Sequence, residues 1–312
     1  MGDLRPPRTD ADVPGYLADL GLPGLADVHT HFHPDRLMRR IWAYFDEGER
    51  HYGTAWPIRY RTSHEERLQT LRSLGVRAIP ALTYAHKPDM AASLNQWCRE
   101  LADAEPDVLR CATLFPEPGV EEYVAAAVRD GLQLVKVHLV VSDMAPDDPL
   151  LGPAWELLAA ARVPVVMHAG HGPRAGRHSG PEGVVRLLAE HPDLTLVIAH
   201  LGMPDYDAFA DLVEAHERVH LDTTMVGTDF MEQLAPVPSR FLGRLAELRE
   251  RVVLGSDFPN IPYDYAHQLE ALHRWGLGEE WLRDVLWHNG RRLLRLSGEV
   301  VAQGREDPAP DH

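Results

Sequence analysis

Short runs of apolar residues alternate with longer amphipathic segments along most of the chain. The short runs are rich in Val, Ile and Leu on both faces, which is typical of parallel strands covered by helices. Strands are predicted at residues 25–29, 76–82, 109–114, 132–140, 163–168, 194–199, 219–223 and 251–255. Helices are predicted at residues 36–49, 65–74, 90–104, 120–129, 151–161, 183–190, 205–215, 239–249, 265–275 and 279–287.

This alternation predicts an α/β fold, specifically a (β/α)₈ TIM barrel, because eight such units in roughly 250 residues match the size of that barrel. An open doubly wound sheet is the alternative, but no Gly-rich nucleotide loop follows the first strand. Residues 1–24 are polar and rich in Pro and Gly, and we expect an N-terminal arm there. The aromatic residues 41–60 form an insertion after the first strand, a candidate lid or subunit interface. We expect a single domain over residues 1–300 and a polar tail over 301–312.

The charge and composition exclude several classes of partner. The chain has 312 residues and a net charge of −16, which disfavours binding to nucleic acid or to an anionic membrane. No apolar run reaches the ~18 residues of a membrane span, and the N-terminus lacks the apolar core of a signal peptide. Cys98 and Cys111 do not make a disulfide framework or a metal-type spacing. We therefore expect a cytoplasmic protein whose partner is a small-molecule substrate.

Residue types that bind metals stand at the ends of several otherwise apolar strands. His29 and His31 end the first strand and share one face of it, because side chains two apart in a strand point the same way. Neutral imidazole is the commonest side-chain ligand for zinc and similar metals. The active site of a (β/α)₈ barrel lies at the C-terminal ends of its strands. The other residues of this type at strand ends are Lys136, His138, His168, His200 and Asp257.

Several motifs, taken in order, give the chain a resemblance to a known family. They are Asp27-Val-His-Thr-His31, Val-Met-His168-Ala-Gly, Ala-His200-Leu-Gly, Gly-Ser-Asp257-Phe-Pro and Asn289-Gly-Arg-Arg-Leu-Leu. Over residues 25–296 the sequence resembles the amidohydrolase superfamily. Within it, the sequence resembles the amidohydrolase-related branch that also holds decarboxylases of the aminocarboxymuconate-semialdehyde type.

The resemblance implies a mononuclear metal site. Its ligands would be His29, His31, His168 and Asp257, and the metal would be Zn²⁺, with Mn²⁺ as the alternative. The metal would activate a water, and Asp257 would accept the proton of that water and pass it to the leaving group. His200 would orient the water or polarise the substrate carbonyl, and its role as a further ligand stays open.

Lys136 is one of only two lysines in the chain, and it has three candidate roles. Some branches of the superfamily carboxylate a lysine on the fourth strand to bridge two metals, so a second metal is expected only if Lys136 is carboxylated. The other roles are a substrate contact and a buried ion pair, because a buried lysine must be paired. His138 shares the strand face of Lys136 and is a candidate for the same bridge or substrate contact.

The glycine-rich loop at residues 170–180 carries the main candidates for substrate binding. Arg174 and Arg177 could hold a carboxylate in bidentate fashion, and His171 and Asn260 are further candidates. Additional pocket candidates are Trp42, Tyr84, His86 and Tyr263, and Asp222 could support a ligand. We assign the remaining histidines to the surface or to helix faces: His33, His64, His191, His216, His220, His267, His273, His288 and His312.

Three functions fit these residues. The first is a metal-dependent hydrolase, in which the activated water attacks an ester, lactone or amide carbonyl of a small, carboxylate-bearing substrate. The second is a non-oxidative decarboxylase, which would use the same mononuclear site and a loop arginine to hold its acid substrate. The third is a non-catalytic metal-binding barrel, which the complete ligand set disfavours. The resemblance favours hydrolysis and implies a homodimer.

Overall fold

The computed structural model describes residues 4–296, so the predicted tail at 301–312 lies outside the described residues. The strands are β1 Ile79–Pro80, β2 Val108–Leu109, β3 Cys111–Thr113, β4 Leu134–His138, β5 Val165–His168, β6 Leu196–Ile198, β7 Val219–Asp222 and β8 Val252–Val253. The helices are α1 Val13–Asp19, α2 Asp35–Asp46, α3 Gly48–Tyr52, α4 His64–Ser73, α5 Ala91–Ala104, α6 Val120–Arg129, α7 Leu139–Ser142, α8 Gly152–Ala161, α9 Pro181–Glu190, α10 Tyr206–Ala215, α11 Phe241–Glu247, α12 Tyr265–Arg274, α13 Glu279–Arg283 and α14 Asn289–Leu293. Within residues 4–296, every helix is too short or too polar to cross a bilayer.

The strands pair in parallel and in chain order. β3 to β8 form one sheet, and β1 pairs with β2 in a second. β2 and β3 are two parts of the predicted third strand, which is interrupted at Arg110. The two sheets are therefore adjacent parts of one series of parallel strands, joined where β2 continues into β3.

The predicted first strand is an extended segment that connects the two ends of this series. On one side His31 forms a β-bridge with Leu82, and on the other side Thr30 forms a β-bridge with Phe258. The backbone N–H of Val28 also donates to the carbonyl of Leu254, at 2.9 Å. The segment thus lies between the second and the eighth predicted strands, as closure of a (β/α)₈ barrel requires.

Two apolar layers explain why the strands are apolar on both faces. In β5, Val165 and Met167 belong to the large core cluster shared with the helices, whereas Val166 belongs to a second cluster. This alternation follows from the two-residue period of a strand. Val166 packs among residues that come mainly from the other strands, and this second cluster fills the interior of the ring: Val28, Ala78, Leu82, Leu109, Cys111, Leu134, Val197, Ala199, Val253 and Leu294.

The N-terminal arm is more ordered than its composition predicts. Residues 13–19 form helix α1, and its apolar side is buried against the core. Val13, Tyr16, Leu17 and Leu20 occupy positions i, i+3, i+4 and i+7, which is the spacing of one helix face. The N-terminal arm predicted over residues 1–24 therefore includes a helix, which forms because burial of this apolar face stabilises it despite the surrounding Pro and Gly.

The insertion after the first segment folds over the end of the ring where the strands finish. It contains α2 and α3, and the side chains of Phe45, Tyr52 and Trp56 pack against one another with ring centroids 4.9–6.1 Å apart. The indole N–H of Trp56 donates to the backbone carbonyl of Asn260, at 2.7 Å. This bond ties the insertion to the loop after β8, so the insertion can form the wall of a site at the strand ends.

Candidate metal centre

Three side chains at the strand ends bring together one possible metal ligand atom each. The relevant atoms of His29, His31 and Asp257 lie within 4.8 Å of one another. Oδ1 of Asp257 is 2.9 Å from Nε2 of His31 and 3.6 Å from Nε2 of His29. Two imidazole nitrogens and a carboxylate oxygen are donor types that zinc and manganese accept, so these three residues fit a divalent metal.

The hydrogen bonds of the two histidines direct their lone pairs towards this point. Nδ1 of His29 lies 2.8 Å from Oδ2 of Asp222, and Nδ1 of His31 lies 3.1 Å from the carbonyl of Leu82. Because both partners are acceptors, each Nδ1 carries the proton and each Nε2 carries a lone pair. Burial, with the nearby charge of Lys136, lowers the pKa of His29 to about 3, so its ring is neutral at pH 7.

The contact between His31 and Asp257 independently favours a cation at this position. Nε2 of His31 and Oδ1 of Asp257 are both acceptors when Nδ1 of His31 is the donor to Leu82. Two acceptors 2.9 Å apart attract only when they share a positive charge, either a proton or a metal ion. The side chain of Asp257 is 15% exposed and that of His31 only 5%, so the shared charge would lie at the inner end of an open cavity.

Strained backbone at two strand ends directs the functional side chains inward. Asp257 has φ 68°, and His200 and Leu201 have φ 56° and 53°, a left-handed conformation that residues with side chains seldom adopt. Hydrogen bonds hold both turns: the N–H of Asp257 donates to the carbonyl of His29, and the N–H of His200 donates to Oδ1 of Asp222, each at 2.9 Å. The surrounding structure thus fixes where these two side chains point.

His168 lies beside the three-residue group and contacts two other histidines. Nδ1 of His200 donates to the carbonyl of Thr224, so its Nε2 can accept from Nδ1 of His168, 3.1 Å away. The ring of His168 stacks on that of His138, with centroids 3.8 Å apart. Because Nδ1 carries the proton, the free lone pair of His168 is on Nε2. The role of His168 as the fourth ligand stays a prediction.

Lys136 is fully buried and contacts a ligand atom directly. Its Nζ lies 2.9 Å from Nε2 of His29, the same lone pair that would hold a metal. Burial lowers the pKa of Lys136 to about 8, although the charges of Asp222 and Asp257 act in the opposite direction. Within residues 4–296, no carboxylate forms a salt bridge with Lys136. The buried ion pair, one of its three candidate roles, is therefore not present as a direct contact. The carbamate bridge and the substrate contact stay predictions.

A cavity of about 480 Å³ opens above these residues. Its base is polar and includes His31, His138, His168, His200 and Asp257. Its walls are apolar, with contributions from Leu37, Ile41, Phe45, Tyr52, Trp56, Val140, Met203, Met225 and Met231. An apolar cavity with a few convergent polar groups is the usual form of a site for a small molecule.

The structure separates the predicted substrate-binding residues into two groups. Arg174 and Asn260 line the cavity. The guanidinium of Arg174 donates to the hydroxyl of Tyr44 at 2.8 Å, and Oδ1 of Asn260 is buried with no hydrogen-bond partner in the described part of the chain. His171 points away and pairs with Asp205, 2.7 Å from its Nδ1, and Arg177 is exposed outside the lining. Of the three candidates in the loop at residues 170–180, only Arg174 therefore lines the cavity, because the pair with Asp205 turns His171 outward.

The remaining candidates divide in the same way. Tyr84 and His86 line the cavity, whereas the ring of Trp42 lies against the guanidinium of Arg67, and Tyr263 is half-buried outside the lining. Asp222 supports His29, as predicted from its position. Arg40 also lines the cavity, although the sequence does not single it out, and Phe45, Tyr52 and Trp56 of the predicted insertion line it as well.

The assignment of His33 to the surface was wrong. His33 has no exposed area, and its ring stacks on that of His31, with centroids 5.8 Å apart and planes inclined by 9°. The spacing itself carries the missed signal, because His29, His31 and His33 all occupy the same face of an extended chain. The strand is predicted to end at residue 29, yet the extended backbone continues to Pro34.

Gly255 sets the space behind His29 and leads to a testable prediction. A Cβ atom on Gly255 would lie 2.1 Å from Oγ1 of Thr224 and 3.0 Å from Cβ of His29. We expect Gly255→Ala to lower the free energy of unfolding by about 1–3 kcal/mol, because it overpacks a buried site, and to weaken metal binding. Urea unfolding and metal titration measure both effects. Gly243→Ala is the control, since nothing lies within 4 Å of its added Cβ; equal stability of the two variants would contradict the prediction.

The family follows from comparison with known proteins. A model of the amidohydrolase family matches residues 26–296, which is most of the chain. This chain belongs to the amidohydrolase family. The amidohydrolase family is metal-dependent, in agreement with the His29, His31 and Asp257 group. No curated protein matches this amidohydrolase.

Solved structures confirm the predicted (β/α)₈ fold of this amidohydrolase. An uncharacterized TIM-barrel protein from Bordetella bronchiseptica superimposes with a TM-score of 0.65 and 19% identity, covering 86% of this chain and 97% of that chain. A probable 2-pyrone-4,6-dicarboxylic acid hydrolase from Acinetobacter baumannii has a TM-score of 0.59 and 14% identity, covering 86% and 98%. A 5-carboxyvanillate decarboxylase from Novosphingobium aromaticivorans with bound manganese has a TM-score of 0.57 and 14% identity, covering 88% and 99%.

Proposed function

We propose that this amidohydrolase is a metal-dependent hydrolase that acts on an ester, lactone or amide carbonyl of a small, carboxylate-bearing substrate. The observation that carries the proposal is the meeting of Nε2 of His29, Nε2 of His31 and Oδ1 of Asp257 at the base of an apolar cavity. The similar fold of a protein named as a dicarboxylic acid hydrolase supports the same reaction class.

Three of this chain's own residues have roles in such a reaction. A divalent metal, when bound by His29, His31 and Asp257, would lower the pKa of a water towards ~7. Burial alone would raise the pKa of Asp257, but the neighbouring histidines hold it well below its usual range. Asp257 is therefore ionised at neutral pH and can accept a proton at Oδ1 and return it to the leaving group.

His200 is better placed to orient a donor than to polarise a carbonyl. Its Nδ1 donates to the carbonyl of Thr224, and burial lowers the pKa of the ring, so Nε2 is an acceptor. An acceptor at this position can hold the N–H of His168 or the O–H of a water, but it cannot donate to a substrate oxygen. We therefore assign orientation to His200, and leave oxyanion stabilisation to other groups.

Isotope labelling tests the proposed reaction. Metal-free protein, reloaded with Zn²⁺ or Mn²⁺, would be incubated in ¹⁸O-water with carboxylate-bearing aryl esters, lactones and amides. We expect cleavage only after metal loading, with ¹⁸O in the acid product. Cleavage that is equal with and without metal, or no cleavage of any ester, lactone or amide, would overturn the proposal.

A decarboxylase is the second candidate function, and one observation favours it. Arg174 lies on the cavity lining, where its guanidinium could hold the carboxylate of an aromatic acid. The fold is also similar to that of a manganese-bound decarboxylase. Release of carbon dioxide from carboxylated phenols, without uptake of ¹⁸O, would select this function instead.

A further inference from the structure

A second groove adjoins the active-site cavity and differs from it in charge. It has a volume of about 510 Å³ and shares Leu37, Arg40 and His86 with the active-site cavity. We call it the basic groove, and its lining consists of Pro34, Arg36, Leu37, Arg40, His86, Lys87, Asp89, Met90, Ser93 and Leu94. The two volumes therefore lie side by side, with Arg40 and His86 at the boundary.

The cations of the basic groove are not neutralised by the protein. Arg36, Arg40 and Lys87 are exposed and make no salt bridge with any carboxylate among residues 4–296. Elsewhere the arginines of this chain commonly pair with carboxylates, as Arg72 does with Asp107 at 2.6 Å. The groove carries three cations against one lining carboxylate, Asp89, in a chain of net charge −16.

The cations come from two different segments that line the same groove, so they can contact one bound group together. Arg36 and Arg40 are four residues apart on α2 and share one face of that helix. Lys87 comes from the loop that follows β1. Burial and the charges of Lys87 and Arg40 lower the pKa of His86, which agrees with its position between these two side chains. The guanidinium forks and the lysine ammonium are the donors that carboxylates and phosphates prefer.

We propose that the basic groove binds an anionic arm of the substrate, carrying phosphate or carboxylate groups, while the reacting carbonyl lies in the active-site cavity. This inference rests on the proposed function for the identity of the reacting end. The apolar walls of the cavity accept the uncharged body of such a molecule. Arg40, which lines both volumes, would hold the point where the body meets the arm. The substrate class is thus an elongated carbonyl compound with a charged end.

Calorimetric titration of the metal-loaded full-length protein tests the groove without any turnover. The probes are inorganic phosphate and succinate at constant ionic strength, which distinguish a phosphate from a carboxylate arm. We expect saturable binding of at least one probe, weakened about 10-fold or more in Arg36→Ala/Lys87→Ala, because charge-assisted hydrogen bonds are lost. Arg39→Ala is the matched control, since Arg39 is an exposed cation of α2 outside the lining.

The outcomes separate this inference from the proposed function. Equal binding by wild type, the double variant and Arg39→Ala would overturn the proposal that the basic groove binds anions. The absence of saturable binding of both probes would also overturn it. Loss of binding only in the double variant supports the groove, even if no ester or lactone is cleaved. If cleavage does occur, the double variant should raise KM for an ester with an anionic arm and leave KM for its neutral counterpart unchanged.

Discussion

Asp257→Asn should lower kcat of this amidohydrolase by about 10³-fold, the loss typical of removing a general base. Asparagine matches aspartate in shape and tolerates the left-handed backbone at φ 68°, so the strand end should keep its conformation. The amide, however, cannot accept a proton from water, and it does not offer a negative charge to a cation shared with His31, 2.9 Å away. Both the proton transfer and the binding of metal are expected to suffer.

Steady-state kinetics at saturating metal, with elemental analysis of metal content, measures this effect. Asp143→Asn is the matched control, because Asp143 is exposed, also has a positive φ of 45° and does not line the cavity. The control should retain wild-type kcat and thermal stability. A kcat for Asp257→Asn within about tenfold of wild type would remove the proposed general-base role.

Asp222→Asn should weaken metal binding by about 10–100-fold while leaving kcat recoverable at high metal concentration. Asp222 accepts from Nδ1 of His29 at 2.8 Å, and from the backbone N–H groups of His200 and Thr224 at 2.9 and 3.0 Å. An asparagine can keep the two backbone bonds through its oxygen, but its NH₂ group then faces Nδ1 of His29. That contact favours the tautomer with the proton on Nε2, which removes the lone pair that would bind the metal.

Metal titration followed by kinetics distinguishes this positioning role from a catalytic one. Asp205→Asn is the control, because Asp205 forms a similar carboxylate–histidine pair with His171, 2.7 Å away, outside the cavity. Only Asp222→Asn should show a weaker metal Kd, and its kcat should return as metal is added, unlike that of Asp257→Asn. An unchanged Kd, or a kcat that excess metal does not restore, would contradict the tautomer argument.

The residues at the strand ends were predictable because their positions follow from local rules. The two-residue period places His29 and His31 on one face, and the shared rim of a barrel brings Asp257 to the same end. Neither step needs knowledge of long-range contacts. The same rule would have included His33, had the strand been continued to Pro34.

The walls and the fine hydrogen bonding were not predictable, because they depend on contacts between distant segments. Trp56 is held at the cavity by a hydrogen bond from its indole to the carbonyl of Asn260, more than 200 residues later. The position of Lys136 against Nε2 of His29 likewise requires the registry of strands that are far apart in sequence. His171 belongs to a suitable loop, but an aspartate on the neighbouring loop turns it outward.

Ligand residues and wall residues have different origins in this molecule, and this has a consequence for evolution and engineering. The ligands lie at the ends of the strands, whereas much of the wall, including Phe45, Tyr52 and Trp56, comes from the insertion. Substitutions confined to the insertion can alter which molecule is admitted without moving a ligand atom. A combinatorial library over these wall positions should therefore yield variants with new substrate preferences that retain the parental metal affinity.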